Sequence, residues 1–327
     1  MKVSVVINSY SLDRYDDFCE AIDAVLEQTY DPIELVLVID GNQALYERTK
    51  DDFGHLDGVV IHRTEENVGN SASRTVGGML ASGDIVAVTD DDGVADPNWV
   101  EELVAVYEET DAIAVGGKVV PQWIDGKPPF FPEEFYWLVG CNHRGFEGEH
   151  MSEVRNTFGP NLSFRAEVFE ALGGFSHHVG RHGEKQLQAH ETEICSRMHE
   201  LYGCGVIYTE DAVINHKVYP YRNDPKWLFR RCFWQGYSKR VLEQLIPDST
   251  GNEQTFLKRL LVEFIPNRLT RLIKNPSTKK AKQLTAICLF TITIGLGYLY
   301  ALVSGDLIEE REESTISHTG GGEAIDE

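Results

Sequence analysis

The sequence is poor in basic residues. Its 327 residues include 30 Lys and Arg against 52 Asp and Glu, which gives a formal net charge of −22 at pH 7. A nucleic-acid-binding protein needs a basic face for the phosphates, so this balance argues against that class. The hydrophobic fraction of 42% is that of a folded globular protein rather than a disordered chain.

Cysteine motifs are lacking as well. The six cysteines include no CxxC pair and no metal-ligand spacing, which predicts mostly reduced residues in the core. Met1 is followed directly by the strand-like "KVSVVINSY", so we expect no signal peptide and a cytosolic main body.

Charge is absent from one long stretch near the C-terminus. Leu284–Val303 holds 20 residues without a charge, which as a helix is about 30 Å long, the thickness of the bilayer hydrocarbon core. Four lysines precede it, at positions 274, 279, 280 and 282. By the positive-inside rule, a single-pass transmembrane helix here would leave the main body cytoplasmic. A buried core helix is the alternative.

The charge pattern divides the chain further. The segment before this stretch, with "FLKRLLVEFIPNRLTRLIK", alternates apolar and basic residues, as an interfacial helix on anionic lipid does; a solvated amphipathic helix is the alternative. We therefore expect a globular domain at 1–240, a basic amphipathic juxtamembrane segment at 241–283, a membrane helix at 284–303 and an acidic tail at 304–327. Phe256–Gln283 has eight basic residues against one acid, and the chain after Ser304 has eight acids against one Arg, so these two excesses cancel. The main body therefore carries the acidic charge, as in proteins adapted to a high-salt cytoplasm; an ordinary acidic protein is the alternative.

Strand and helix patterns alternate in the first half of the chain. Strand-like runs lie at Val3–Ile7, Glu34–Ile39, Val59–Ile61, Ile85–Thr89 and Ala112–Lys118, with helical patterns at Asp16–Gln28, Ala44–Phe53, Ser71–Ala81 and Asn98–Tyr107. The alternation predicts an α/β fold on a mostly parallel sheet. Ligands bind such sheets beyond the carboxyl ends of the strands, where Asp40 and the triplet Asp90, Asp91 and Asp92 stand, so we expect one shared cleft.

Three adjacent carboxylates repel one another unless positive charge lies between them. A D-x-D pair at a strand end can hold Mg²⁺ or Mn²⁺, hard cations that prefer oxygen ligands and bridge to phosphate. Taken alone, the motif is weak evidence, because acidic loops are common.

The order of several motifs strengthens this interpretation. "VVINSY", "VIDGN", "ENVGNSASRTVGGMLASGDIVAVTDDD", "GPNLSFRAEVFEALGGF", "HETEICSRM" and "RRCFWQGYSKR" follow one another along the chain. In this order they resemble the family 2 glycosyltransferases with a GT-A fold, over about residues 1–240. The resemblance implies a Rossmann-like nucleotide-sugar-binding sheet and transfer of a sugar from a nucleotide diphosphate donor, with inversion at the anomeric carbon.

The resemblance also implies roles for individual residues. Asp40 matches the acid that contacts the base or ribose, and Asn67, Gly69 and Arg74 match a stretch beside the nucleotide; a structural ion pair is the alternative for Arg74. Asp90 and Asp92 match the outer members of D-x-D, with Asp92 as metal ligand and Asp90 nearer the ribose or donor sugar. Asp91 is expected to face solvent.

The catalytic base is the least regular match. The family usually has Glu-Asp before "TEL", whereas this chain reads His190-Glu191-Thr192-Glu193-Ile194. Glu191 takes the base position, with Glu193 and Glu184 as alternatives. Glu191 and Glu193 are also what a helix N-terminus favours without any catalytic role.

Several basic residues are further candidates. His216 stands where related enzymes often place a diphosphate or metal contact, although a lone histidine is more often structural. Arg230, Arg231 and Lys239 can reach a diphosphate or lipid phosphate, or form a solvated helix face. For a uronate carboxylate the candidates are Arg155, Arg165 and Arg181.

Within the family, the chain departs from processive synthases, which carry Gln-x-x-Arg-Trp and several membrane helices. The acidic body, single span and "FWQGYSKR" resemble haloarchaeal enzymes that build the N-linked glycan of surface-layer glycoproteins on a dolichyl phosphate carrier. That resemblance implies UDP-glucuronate as donor and glucosyl-dolichyl phosphate as acceptor. The alternatives are a hexosyltransferase that charges dolichyl phosphate itself, and a membrane-anchored nucleotide-sugar binder without turnover.

Overall fold

A computed structural model describes residues 1–146, 148–176, 181–182, 185–186, 190–245 and 251–304. The strands are β1 (Val3–Ser9), β2 (Ile33–Ile39), β3 (Val59–Arg63), β4 (Ile85–Asp90), β5 (Gly93–Ala95), β6 (Ala114–Trp123), β7 (Ser152–Val154), β8 (Leu162–Arg165), β9 (Arg181–His182), β10 (Lys185–Gln186) and β11 (Val206–Val218). The helices are α1 (Tyr15–Leu26), α2 (Gln43–Phe53), α3 (Asn70–Leu80), α4 (Trp99–Glu109), α5 (Ala166–Ala171), α6 (His190–Tyr202), α7 (Pro225–Leu245), α8 (Gly251–Arg259), α9 (Ile265–Lys274) and α10 (Thr278–Ser304).

The first half of the chain forms the parallel part of the sheet, in the order β3-β2-β1-β4. Its inner strands β1, β2 and β4 are buried on both faces, as parallel strands between helices are, whereas the edge strand β3 is partly exposed. Val5 and Ile7 of β1 pack in one core cluster, and Val6 packs in the cluster on the opposite face. The four predicted helices agree with α1–α4 to within two residues at each end.

The second half of the sheet is mixed: β6 and β11 pair in parallel, whereas its other pairings are antiparallel, so the prediction of a mostly parallel sheet holds only for the first half. β8 lies between β4 and β6 and runs antiparallel to both, and β5 and β7 pair antiparallel with β11. The strand predicted at Ala112–Lys118 begins at Ala114 and continues through Pro121 to Trp123. Proline is tolerated there because β6 has left its pairing with β8, which ends at Gly116, and pairs with β11 alone on that stretch.

The strand ends that carry the site are aligned by register. Asn8 of β1 lies opposite Asp90 of β4, and Ser9 of β1 lies opposite Ile39 of β2. The segments that follow these three strands therefore meet at one edge of the sheet.

All six cysteines are free thiols, as the absence of paired motifs predicts. Cys141, Cys195 and Cys232 are buried, Cys19 and Cys204 are half-buried, and Cys288 on α10 is exposed.

The C-terminal helix packs along α7. A Cβ atom on Gly236 of α7 would lie 1.9 Å from the carbonyl oxygen of Ile294, and one on Gly297 of α10 would lie 1.9 Å from that of Phe233. Only glycine lets two helix backbones approach this closely. Positions 240 and 283, where the sequence divides into segments, both lie inside helices, and the division itself stays a prediction. The acidic tail beyond residue 304 lies outside the described residues.

Among the described residues, α10 is the one helix long and apolar enough to cross a membrane. The most apolar stretch of α10 is 28% buried, whereas the core helix of a soluble protein is mostly buried. The neighbouring helix α9 is strongly amphipathic, with Leu269 and Ile273 exposed beside basic residues.

Candidate active site

A cleft of about 1640 Å³ opens at the carboxyl edge of the strands. Asp40 after β2 and Asp90 and Asp92 at the end of β4 line it together, which confirms the prediction of one shared cleft. The same cleft includes Glu191 at the start of α6 and reaches the apolar helix α10 at its other end.

Asp40 organises the loop that follows β3. Its Oδ1 accepts hydrogen bonds from the Val68 amide at 2.7 Å and the Thr64 hydroxyl at 3.0 Å, and its Oδ2 accepts one from the Gly69 amide at 2.9 Å. Gly69 has φ = +87°, a conformation that favours glycine, and precedes the first residue of α3. These contacts place Asn67 and Gly69 on the cleft wall. Direct contact of Asp40 with a base or ribose stays a prediction.

Arg74 of α3 connects the acidic triplet to Glu191. It is 1% exposed, its Nη2 forms an ion pair with Oδ1 of Asp90, and its Nη1 lies 3.9 Å from Oε1 of Glu191. Within the described residues, neither Nε nor Nη1 of Arg74 has a hydrogen-bond acceptor. A buried donor without an acceptor costs about 1–3 kcal/mol, so this geometry favours a ligand oxygen as an additional partner. The structural ion pair is present, and the nucleotide contact stays a prediction.

Asp91 does not face solvent, and that prediction is wrong. Its side chain is buried, with Oδ2 accepting hydrogen bonds from the Ser9 hydroxyl at 2.7 Å and from Nη2 of Arg14 at 3.2 Å. Ser9 is the last residue of β1 and Arg14 follows that strand, so both donors draw the side chain inward beneath the strand end. Burial raises the pKa of the Asp91 carboxyl, while the Arg14 guanidinium opposes the shift.

Basic side chains around Asp92 relieve the repulsion among the three adjacent carboxylates. Its Oδ1 lies 3.1 Å from Nε2 of His216, and its Oδ2 accepts hydrogen bonds from Arg14 at 3.2 Å and Arg222 at 3.1 Å. Burial alone would raise the pKa of Asp92, but these basic groups outweigh it and hold the pKa well below its usual range. Burial alone would lower the pKa of His216. The negative charge of Asp92 has the larger effect, so the pKa of His216 is raised.

Asp90, Asp92 and His216 form a group that can hold a divalent metal ion. One ligand atom from each lies within 4.8 Å of the others. Two carboxylates and an imidazole are a donor set that suits Mn²⁺, and Mg²⁺ takes the same carboxylate oxygens. The structure therefore brings together Asp92 and His216, the two predicted ligands, and adds Asp90 as a third.

Glu191 faces this group from across Arg74. Its Oε1 lies 3.0 Å from Nε2 of His190, and its side chain is 22% exposed toward the cleft. Burial would raise the pKa of Glu191, but His190 and Arg74 outweigh it and lower the pKa to about 2. The carboxylate is therefore ionised at neutral pH, the form in which it can accept a proton.

The two alternatives to Glu191 differ in position. Glu193 is buried and forms a bidentate ion pair with Arg197, at 2.6 and 3.0 Å. Both of its carboxylate oxygens are therefore paired within α6. Glu184 lies outside the described residues. Both Glu191 and Glu193 stand in the first turn of α6, as the helix-terminus interpretation also predicts.

Arg14 and Arg222 were not predicted from the sequence. Arg14 stands five residues after β1 ends, and Arg222 stands four residues after β11 ends. A strand that ends at the cleft edge places the residues after it at that edge. The position of Arg14 and Arg222 shortly after a strand end is therefore the sequence signal that would have indicated them. Tyr219 and Tyr221 stack beside them, with ring centroids 6.0 Å apart.

The basic candidates on α7 separate into two groups. Arg230 is exposed and lies outside the residues that line the cleft. Arg231 and Lys239 line it: Nε of Arg231 donates to the Leu138 carbonyl at 3.1 Å, and Nζ of Lys239 lies 3.0 Å from Oε1 of Glu253. Contact with a phosphate stays a prediction for these side chains.

The candidates for a uronate contact are similarly divided. Arg155 lines the cleft and pairs with Glu253 at 2.8 Å. Arg165 lies at the opposite end of the sheet, where it pairs with Ile85 at the start of β4 and donates to the Ala112 carbonyl, so it does not reach the cleft. The side chain of Arg181 lies outside the described residues.

Comparison with known proteins identifies the family. The model of glycosyl transferase family 2 matches residues 4–173, and the chain belongs to this family of enzymes. Over 311 residues it is 51% identical to the glucosyl-dolichyl phosphate glucuronosyltransferase of Haloferax volcanii, an alignment that covers 95% of this chain and 99% of the relative. It is also 24% identical over 253 residues to glycosyltransferase GlyG of Streptococcus pneumoniae, covering 74% and 77% of the two chains.

Solved structures place the fold in the GT-A class. The mannosyltransferase PcManGT from Pyrobaculum calidifontis, in complex with GDP-Man and Mn²⁺, superposes with a TM-score of 0.57 at 20% identity, covering 94% of this chain and 87% of that one. Residues 1–349 of TarS from S. aureus, in complex with UDP-GlcNAc, superpose with a TM-score of 0.54 at 13% identity, covering 90% and 82%. At these identities the likeness establishes the fold alone.

Proposed function

We propose that the chain transfers glucuronate from UDP-glucuronate to glucosyl-dolichyl phosphate, with inversion at the anomeric carbon. The observation that carries the proposal is the 51% identity, over nearly the full length of both chains, to the Haloferax volcanii glucosyl-dolichyl phosphate glucuronosyltransferase. The cleft supports the same reaction, because it joins an acidic metal-binding group to an apolar helix. A nucleotide diphosphate sugar suits the first end, and a lipid-linked acceptor suits the second.

The donor diphosphate lies at the acidic group in this proposal. Asp90, Asp92 and His216 are the residues that would hold Mg²⁺ or Mn²⁺, and such an ion would supply positive charge to the departing diphosphate. Arg14 and Arg222 stand beside Asp92 and present guanidinium groups to the same place. The loop at Asn67 and Gly69, fixed by Asp40, borders the nucleotide.

Glu191 accepts the proton in the transfer step. The attacking hydroxyl oxygen of the acceptor forms a bond to the anomeric carbon of the donor, and its proton passes to the Glu191 carboxylate. The bond between that carbon and the diphosphate oxygen breaks, and its electron pair leaves with UDP. His190, 3.0 Å away, keeps the carboxylate ionised and oriented before the step.

The membrane arrangement is also part of the proposal. The basic residues of α9 and of the first turns of α10 lie together before the apolar run of α10. If α10 crosses the bilayer as a single span, the positive-inside rule keeps these residues and the catalytic domain cytoplasmic. Participation in surface-layer N-glycosylation is a further prediction, which rests on the resemblance to haloarchaeal enzymes of that process.

A panel of donors and acceptors tests the proposed function. Membranes that contain the protein are incubated with UDP- and GDP-sugars and with either bare dolichyl phosphate or glucosyl-dolichyl phosphate. Mass spectrometry of the lipids should find a new product with UDP-glucuronate and the glucosylated lipid. A product on bare dolichyl phosphate would instead identify a carrier-charging hexosyltransferase. Donor binding without any transfer would identify a non-catalytic nucleotide-sugar binder.

A further inference from the structure

The cleft changes chemical character along its length. At the sheet edge it is acidic, with Asp90, Asp92 and Glu191 on its wall. At the other end it is apolar, with Leu242 of α7, Leu257 of α8 and Ile294 of α10 among the lining residues. Between these ends lies a cluster of three charged side chains, Arg155, Lys239 and Glu253, which we call the middle cluster.

The middle cluster is held by short ion pairs and carries a net positive charge. Arg155 contacts both carboxylate oxygens of Glu253, at 2.8 and 3.1 Å, and Nζ of Lys239 lies 3.0 Å from Oε1 of Glu253. Two cations surround one carboxylate that is mostly shielded from solvent. Burial would raise the pKa of Glu253, but Lys239 and Arg155 outweigh it and lower the pKa to about 2.

The field of the middle cluster extends to its neighbours. His143 lines the same cleft, and its pKa is lowered to about 3 by burial and then by the positive charges of Lys239 and Arg259. Nζ of Lys239 also lies 5.5 Å from the centre of the Trp137 ring. This part of the cleft is therefore a positive, partly desolvated region, which favours an anion.

A hydrogen-bonded path connects the middle cluster to the residue that follows the candidate base. Asn156 accepts from Nε of Arg155 at 2.8 Å, and the Thr192 hydroxyl lies 3.4 Å from the same Asn156 oxygen. Thr192 directly follows Glu191 on α6. The middle cluster is therefore separated by one intervening side chain, Asn156, from the segment that carries the candidate base.

We infer that Arg155 and Lys239 form the subsite for the phosphodiester of a polyprenyl-phosphate-linked sugar. The order acidic, positive, apolar along the cleft matches the order sugar, phosphate, isoprenoid along that acceptor. Glu253 occupies the two cations when no acceptor is bound and yields them to the phosphate. The isoprenoid chain then follows Leu242, Leu257 and Ile294 toward the exposed apolar face of α10, where Ile292 and Leu296 are more than half exposed. This inference rests on the proposed function, since it assigns a part of the same acceptor.

The test compares two acceptors that differ in the phosphate. Full-length protein in detergent is assayed with glucosyl-dolichyl phosphate and with octyl glucoside, which has a glucose and an apolar tail but no phosphate. A hydrogen bond to a charged group is worth about ten- to a hundredfold in binding. Arg155→Gln and Lys239→Gln should each raise KM for the phosphate-bearing acceptor by roughly that factor. Their KM for octyl glucoside and their calorimetric affinity for UDP should stay within about twofold of wild type.

Two further variants separate recognition from structure. Lys226→Gln removes an exposed charge that lies outside the cleft on α7, the helix that also carries Lys239. This variant should leave KM unchanged for both acceptors. Glu253→Gln removes the competing carboxylate, and should lower KM for the phosphate-bearing acceptor. An equal loss with both acceptors in the Arg155 and Lys239 variants, or a raised KM in Glu253→Gln, would overturn the inference and identify a structural cluster. Wild-type protein that uses neither acceptor would instead overturn the proposed function.

Discussion

Nε2 of His190 lies 3.0 Å from Oε1 of Glu191, at the position where related enzymes usually carry a second acid. A neighbouring acid would raise the proton affinity of the base by repulsion, whereas a histidine that becomes positively charged lowers it. This chain therefore keeps its candidate base firmly ionised, with a pKa near 2. A carboxylate with so low a pKa binds a proton weakly. The proton that Glu191 takes from the acceptor must therefore be stabilised by the charge that shifts from the acceptor oxygen to the departing diphosphate.

If Glu191 is the base, Glu191→Gln should retain the fold and lose turnover. The amide keeps the size and hydrogen-bonding shape but cannot accept a proton, and general-base catalysis is worth about 10²- to 10⁴-fold. Initial rates should fall by that factor, while UDP binding stays near wild type. Glu193→Gln is the matched control, because it loses the ion pair with Arg197 but leaves the cleft intact. Near-normal turnover in Glu191→Gln would exclude it as the base and direct attention to Glu184.

The metal group predicts loss of activity in chelator. EDTA should abolish transfer, and added Mn²⁺ or Mg²⁺ should restore it, because a divalent ion neutralises the leaving diphosphate. Asp92→Ala should abolish both transfer and Mn²⁺ binding, measured by electron paramagnetic resonance of the free ion. Circular dichroism is the control, since this change leaves Arg14, Arg222 and His216 without their shared carboxylate. Full activity in excess EDTA would contradict the metal site.

A buried carboxylate at the opposite end of the strands predicts acid sensitivity. Burial would raise the pKa of Glu34, but hydrogen bonds from Ser4, Ser82 and Lys2 outweigh it and lower the pKa to about 2. Since the folded pKa lies below the unfolded one, the stabilisation is present above about pH 4.5 and is lost as the pH falls toward 2. The free energy of unfolding should therefore differ between wild type and Glu34→Gln at pH 6, and the gap should narrow by about 2 kcal/mol by pH 3. Denaturant titrations at the two values measure it, and a gap that does not change with pH would refute the assignment.

The contact between α7 and α10 predicts different effects for two glycines on one helix. Gly297→Ala places a Cβ against the Phe233 carbonyl and should destabilise the protein by at least about 1–3 kcal/mol. Gly295→Ala meets no atom within 4 Å and should be neutral or stabilising, because alanine favours the helix by up to about 1 kcal/mol. Thermal unfolding in detergent compares the two. Equal melting temperatures would indicate that the helices do not pack as described.

The parts of the fold that could be predicted are those with a local signal. Apolar strands followed by polar strand ends gave the parallel half of the sheet, and the residue types at those ends indicated the cleft with Asp40, Asp90 and Asp92. The antiparallel insertion of β8 between β4 and β6 had no such signal, because the sequence "LSFR" reads as a strand whichever direction it runs. Pairing partners are set by the whole sheet rather than by the strand itself.

The side-chain partners within the site were harder to predict for the same reason. The sequence around Asp91 is typical of a solvent-facing loop, and its partners Ser9 and Arg14 stand about 80 positions earlier in the chain. Likewise, nothing in the local sequence joins Arg155 to Glu253, which the fold brings to a 2.8 Å contact across 98 positions. Long-range ion pairs depend on the geometry of the assembled cleft.

The central claim is that this cleft moves a uronate from a nucleotide to a lipid-linked glucose. The most direct measurement incubates the full chain with UDP-glucuronate, glucosyl-dolichyl phosphate and Mn²⁺, and then analyses the lipid by mass spectrometry and by nuclear magnetic resonance of the new linkage. The account predicts the gain of a single hexuronate, joined in the anomeric configuration opposite to that of the donor, and an initial rate about 10²- to 10⁴-fold lower with Glu191→Gln. An unchanged lipid, or a product that retains the donor configuration, would contradict it.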